Sequence, residues 1–74
     1  MAELTPWEQK AKTIIRVEMT KQGISYKDLQ SKLAAIGVVE EEPAIRNKVG
    51  RGKFSAAFLL QCLAAMGCTT LPLS

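Results

Sequence analysis

The chain contains no histidine. That excludes a Ser-His or Cys-His nucleophile pair and any zinc site built on two histidines. Cysteine is scarce: Cys62 and Cys68 stand six positions apart, without the Cys-x-x-Cys spacing of a redox or metal pair. Both read as small apolar residues around the end of a helix, and a reducing cytosol argues against a disulfide between them. No apolar run is long enough to cross a bilayer, since residues 56–66 number eleven and include Gln61. Glu3 and Glu8 stand where a secretory leader needs a basic end and an apolar run, so a cytoplasmic protein is expected. Gly50-Arg51-Gly52-Lys53 resembles part of a phosphate loop. Asn47 replaces its earlier glycine, however, and Phe54 follows the lysine where Ser or Thr must hold magnesium. No catalytic residue, metal ligand or cofactor site is left, and the expectation is a protein that is not an enzyme.

What is present is a small domain with clear helical punctuation. The 74 residues suffice for one domain, and 47% of them are apolar, too many for a disordered tail. Thr5-Pro6-Trp7-Glu8 reads as a capping box with proline at the first helical position. It predicts a helix over about 6–22 with Trp7, Ala11, Ile14 and Ile15 on a buried stripe, closed by Gly23. Ser25 and Asp28 repeat the box for a second helix over about 26–36. Its buried face should hold Tyr26, Leu29, Leu33 and Ile36, with Gly37 closing it.

A third helix over about 41–49 follows, with Pro43 in its first turn and Glu40, Glu41 and Glu42 complementing the positive end of its dipole. Ile45 and Val49 are its inward anchors, and Gly50 and Gly52 should end it in a tight basic turn. Ser55 caps a fourth helix over about 56–66, with Phe54 and Leu59 placed for a hydrophobic staple. Residues 68–74, with Pro72, form a tail without helical pattern. The expected architecture is all-α, a four-helix bundle with a fifth helix left open.

Ten of the eleven residues in 56–66 are apolar. Such a helix is either surrounded by the other three or covered by a second subunit. A small core supplies only about 3–5 kcal/mol. A symmetric homodimer through Phe58, Leu59, Cys62, Met66, Leu71 and Leu73 is therefore expected; the alternative is a central helix in a monomer.

Charge is divided unevenly along the chain. Residues 1–42 carry six basic and seven acidic side chains, whereas residues 43–74 carry Arg46, Lys48, Arg51 and Lys53 and no acid. A cationic helix and turn suit a phosphate backbone. With Ile45 and Val49 inward, the outward direction centres on Asn47, flanked by Arg46. Asn can bond adenine N6 and N7, and Arg can bond guanine O6 and N7. Arg46 and Asn47 are thus candidate base contacts. Lys48, Arg51 and Lys53 are candidate phosphate contacts that set register. Ser25, Tyr26 and Lys27, at the start of the second helix, could meet flanking phosphates with help from its free amides.

Four stretches carry a family resemblance: Gly23-Ile24-Ser25-Tyr26-Lys27-Asp28-Leu29, Gly37-Val38, Arg51-Gly52-Lys53, and Leu59-Leu60 through Leu63 to Met66-Gly67. Over roughly residues 10–68 the chain resembles the lambda-repressor-like (Cro/cI-type) helix-turn-helix domain. Within it, the chain looks closest to a branch of short bacterial proteins catalogued as a domain of unknown function, marked by the block RGKFSAAF-LQCL-A-G. The resemblance implies that the second and third helices form a DNA-reading unit with the third in the major groove. It implies positioning roles for Ser25, Tyr26 and Lys27, reading roles for Arg46 and Asn47, and backbone contacts from Arg51 and Lys53.

The expected function is sequence-specific binding of double-stranded DNA by a small dimeric transcriptional regulator, with no membrane and no evident small-molecule substrate. The alternatives are a protein-interaction module on the same scaffold, which the acidic triplet favours, and an antitoxin or phage-type repressor. The DNA reading requires residues 43–54 to protrude with Asn47 toward solvent. It also requires that the three carboxylates, placed in a longer turn and angled away, do not screen them.

Overall fold

The structure, a computed structural model, describes residues 4–71 and residue 73. Glu3 and Pro72, used in the sequence reading, lie outside the described residues. Four helices, α1 (Pro6–Gln22), α2 (Tyr26–Ala35), α3 (Glu42–Arg51) and α4 (Ala56–Ala65), make up an all-α domain, and no strand occurs among the described residues.

Local chemistry places the helix starts. At α1 the Thr5 hydroxyl accepts from the Glu8 amide at 3.1 Å while the Thr5 amide donates to Glu8 Oε1 at 2.8 Å. Ser25 and Asp28 make the same reciprocal pair at α2, and the Ser55 hydroxyl accepts from the Phe58 amide at α4. Each cap satisfies amides that the first turn leaves without helical partners. The ends of α1, α2 and α4 share one device: a glycine turns the chain, and the next amide reaches back into the last turn. Ile24 donates to the Met19 carbonyl, Val38 to that of Leu33 and Cys68 to that of Leu63.

α1 and α2 each pack against both α3 and α4. Every helix sends residues one turn apart into the common core. These are Ile15 and Met19, Leu29 and Leu33, Ile45 and Val49, and Phe58 and Cys62, joined by Leu63 and Met66. The Gln22 side-chain amide donates to the Met66 carbonyl at 2.7 Å and so ties the end of α1 to the end of α4. Among the described residues no helix is long and apolar enough to cross a membrane.

Several expectations change. Trp7 was placed on the buried stripe of α1 but is 74% exposed. Eight residues before the fully buried Ile15, it lies about 80° around the helix from the core direction. Ile36, expected on the buried face of α2, is 48% exposed because the helix stops at Ala35 and Ile36 leaves helical geometry. α3 does not end at Val49: Gly50 and Arg51 are helical, and Gly52 is the left-handed cap at φ 69°. The Phe54 ring meets Phe58, with centroids 5.4 Å apart, and Phe54 and Leu59, the two members of the expected staple, both pack against the core.

The fourth helix is central to the chain's own core. Phe58, Cys62 and Met66, expected between subunits, are buried within one chain; Leu59 is half-buried, and Leu71 and Leu73 are exposed. Leu60, at 59% exposure, is the large apolar residue that α4 leaves in water. Both thiols are free, and burial pushes the Cys62 thiol up to about 12, so it stays protonated.

Candidate nucleic-acid interface

α3 is fixed from both sides. Ile45 and Val49 are fully buried, and the opposite face, with Pro43, Asn47 and Gly50, stands in solvent. The C-terminal end of α3 is clamped to α1: the Lys12 ammonium donates to the Gly50 carbonyl at 3.0 Å, and Lys53 meets Glu8 Oε2 at 2.9 Å. Gly52 sits in the same contact. A Cβ there would lie 3.0 Å from a Leu4 methyl and 3.3 Å from the Glu8 carbonyl, on a backbone already at positive φ. The orientation of α3 is therefore set by the beginning of α1.

These contacts divide the cationic stretch. Lys48 donates to both oxygens of Glu40, at 2.9 and 2.8 Å, and its ammonium lies 4.9 Å from the Phe58 ring centroid. Lys53 joins the carboxylate that also closes the α1 capping box. Both lysines are candidate phosphate contacts, and in the structure both lie in ion pairs that join elements of the fold, with 42% and 44% of their side chains exposed. The Thr5 amide first, and Lys53 next, hold the Glu8 carboxyl below its ordinary value.

Arg46 and Arg51 behave differently. The Arg46 guanidinium is 5.4 Å from the centroid of Tyr26, the first residue of α2, and pairs with Glu42 one turn back at 3.2 Å. Its side chain is still 64% exposed. Arg51 is exposed and has no carboxylate partner among the described residues, and the same holds for Lys27. Asn47 is exposed between the two arginines.

The expected arrangement of the acidic triplet is thus only partly realised. Glu40 sits in the α2–α3 turn, committed to Lys48. Glu41 is the N-cap of α3 without a side-chain bond, and Glu42 is in its first turn, against Arg46. Two of the three carboxylates reach into the cationic stretch. Asn47 and Arg51 remain clear of ion pairs.

Two shallow depressions meet at Arg46. One, about 450 Å³, runs along the outer face of α3 past Asn47 and Arg51. The other, about 440 Å³, lies between Arg16 and Thr20 of α1 and Ser25 and Tyr26 at the start of α2. Arg16 was not among the sequence candidates. Its signal was available in the helical angle that puts Arg16 and Thr20 one turn apart, pointing toward Gly23 and the start of α2. Ser25 is engaged as a cap with Asp28, whose carboxyl the Ser25 amide holds below its ordinary value. The Ser25 and Asp28 amides are both engaged in that box, leaving the Tyr26 and Lys27 amides free at the start of α2. Of the sequence candidates, Ser25, Tyr26, Arg46, Asn47 and Arg51 line the two adjoining depressions, where Arg16 joins them; Lys27, Lys48 and Lys53 do not line them.

No curated protein and no solved structure matches the chain. A family described as "Domain of unknown function (DUF6471)" matches residues 7–71, and the chain belongs to that family.

Proposed function

We propose that this chain binds double-stranded DNA as a small transcriptional regulator, using α2 and α3 as the helix-turn-helix unit that its sequence resembles. The observation that carries the reading is the stacking of Arg46 on Tyr26, beside exposed Asn47 and Arg51. It joins the start of α2 and the outer face of α3 into one surface holding amide and guanidinium donors. An amide and a guanidinium side by side are the groups that read adenine and guanine edges in a major groove. Arg16, Lys27 and Arg51 supply cations for phosphates on either side. The Arg46–Glu42 pair is solvent-exposed and worth about 0–1 kcal/mol, so a phosphate or a guanine edge can replace the carboxylate.

Counting Arg16, Lys27 and Arg51, which have no carboxylate partner among the described residues, about three phosphates per chain are neutralised. The slope of log affinity against log salt is then about −2.7 per chain. The test is selection from a pool of randomised duplexes at low salt, followed by Asn47→Ala on the selected sequence. The expected result is a selected motif that Asn47→Ala relaxes at one base position while leaving non-specific affinity unchanged. Absence of a complex with every duplex at low salt removes the reading.

A second reading has its own support. Trp7 is exposed beside a groove of about 640 Å³ that runs along α1, past Leu63 and Cys68. That apolar surface favours a protein-interaction module, a role that needs neither Asn47 nor Arg51.

A further inference from the structure

The carboxylate of Glu42 stands within the cationic surface. Glu42 is half-buried in the first turn of α3 and lines the depression along the outer face of that helix, together with Arg46, Asn47 and Arg51. Its two oxygens meet the Arg46 guanidinium at 3.2 and 3.3 Å, both through Nη2. The neighbouring acids are placed differently. Glu40 is bound to Lys48 from the α2–α3 turn, and Glu41 makes no side-chain bond at the N-cap. All three repel phosphate, but Glu42 is the one joined to a candidate base contact.

Glu42 and Arg46 lie one turn apart and so share a face of α3. The Tyr26 ring, its centroid 5.4 Å from the guanidinium carbon, covers one face of that group, and the Arg46 side chain is 64% exposed. In the major groove a G·C pair presents two acceptors, guanine N7 and O6, and then a donor, cytosine N4. Arg46 with Glu42 presents the complement in the same order, two donors and then an acceptor. A phosphate that displaced the carboxylate from Nη2 would leave Glu42 unpaired beside a second negative charge. A guanine edge that displaced it would bring the cytosine amino group to the freed oxygens. An A·T pair instead puts thymine O4, another acceptor, where the carboxylate would lie. The carboxylate finds a partner against one kind of base pair and is left without one on the backbone.

We propose that Glu42 is a specificity-determining residue that reads one G·C pair together with Arg46. Arg46 donates to N7 and O6 of guanine, and Glu42 accepts from N4 of the paired cytosine. The proposal rests on the DNA-binding reading above and adds to it a base pair and an acidic reader that the cations alone do not specify. Asn47, the other candidate base contact, then serves a different position of the site.

The test starts from the duplex that the full chain selects out of a randomised pool at low salt. Dissociation constants are then measured for that duplex and for the same duplex with one pair changed, with circular dichroism confirming that each variant is helical. The selected motif should contain a G·C pair whose exchange for A·T weakens wild-type binding about thirtyfold. Arg46→Ala should abolish that ratio, and Glu42→Ala should reduce it about fivefold at the same pair. Glu42→Gln keeps an acceptor oxygen and should hold the ratio within about twofold of wild type. Glu41→Ala removes the same charge one position away and should leave the ratio unchanged. Three results overturn the proposal while DNA binding stands. One is a selected motif without a G·C pair. Another is a Glu42→Ala variant that tightens every duplex alike at an unchanged ratio, the mark of plain charge repulsion. The third is a Glu41→Ala variant that relaxes the preference as much as Glu42→Ala. Absence of a complex with every duplex overturns it together with the DNA-binding reading.

Discussion

α3 and α4 are each ten residues long and stand one after the other in the chain, yet they use their surfaces in opposite ways. α3 buries Ile45 and Val49 and turns Arg46, Asn47 and Arg51 outward. α4 carries no charge and sends Phe58, Cys62 and Leu63 into the core. The contrast separates the two sources of order in this domain. α4 sends an uncharged, apolar face into a core that all four helices share. α3 has two anchors and is oriented as much by polar clamps at its ends, Lys48 on Glu40, Lys12 on the Gly50 carbonyl and Lys53 on Glu8. Cations along α3 therefore fall into two classes: those engaged in holding the helix and those left in solvent.

The largest test of this division is truncation at the centre of α4. Phe58→Ala removes a ring that packs on Phe54 and lies under the Lys48 ammonium, and should cost about 3–5 kcal/mol. That is about the whole stability of a domain this small, so the variant is expected to be unfolded in urea-free buffer by circular dichroism. Retention of a cooperative urea transition near wild type would dissolve the contrast between the helices.

A smaller effect distinguishes the two classes of cation. Arg51→Ala should reduce the salt slope of DNA affinity by about 0.9, the loss of one phosphate contact, with unchanged thermal stability. Lys53→Ala should leave the slope as it is and lower the thermal midpoint, since its partner is Glu8. The opposite result, with Lys53 changing the slope and Arg51 stability, would reverse the assignment made from the ion pairs.

The smallest effect is on pH dependence. Glu8 and Asp28 both have folded-state values held below the ordinary 4.5 and 3.8 by their cap amides. A depressed carboxyl binds its proton more readily in the unfolded chain. Its contribution is therefore present above the ordinary value and lost as pH falls through the folded one. Thermal midpoints should be level above about pH 5 and decline below it. Glu8→Gln should flatten part of that decline while leaving the midpoint in the acid limit nearly unchanged.

Much of the architecture was legible because it is written in local chemistry. Thr5 with Glu8 and Ser25 with Asp28 announce helix starts within four residues, and Gly23 and Gly52 announce ends through a backbone conformation that a side chain resists. The inward pairs of α2 and α3 followed from one-turn spacing. Trp7 was misread because its spacing from Ile14 is helical while its angle from Ile15 is not that of the core, and the core direction is known only once the other helices are in place. Gly50 was misread because glycine breaks helices by propensity, and here the helix continues over it with its carbonyl held by Lys12.

The candidate interface shows the same boundary. Asn47 opposite Ile45 and Val49 is a consequence of helical geometry, and the sequence alone determined its outward position. It also determined the excess of positive charge after residue 42. Which cations remain free was decided by tertiary structure, because Glu8 lies 45 positions from Lys53 and Glu40 lies eight from Lys48. Ion pairing depends on distance in space, and only the packing of α1 and the α2–α3 turn against α3 sets those distances. The same packing left Trp7 outside and placed Arg16 beside Tyr26 and Arg46.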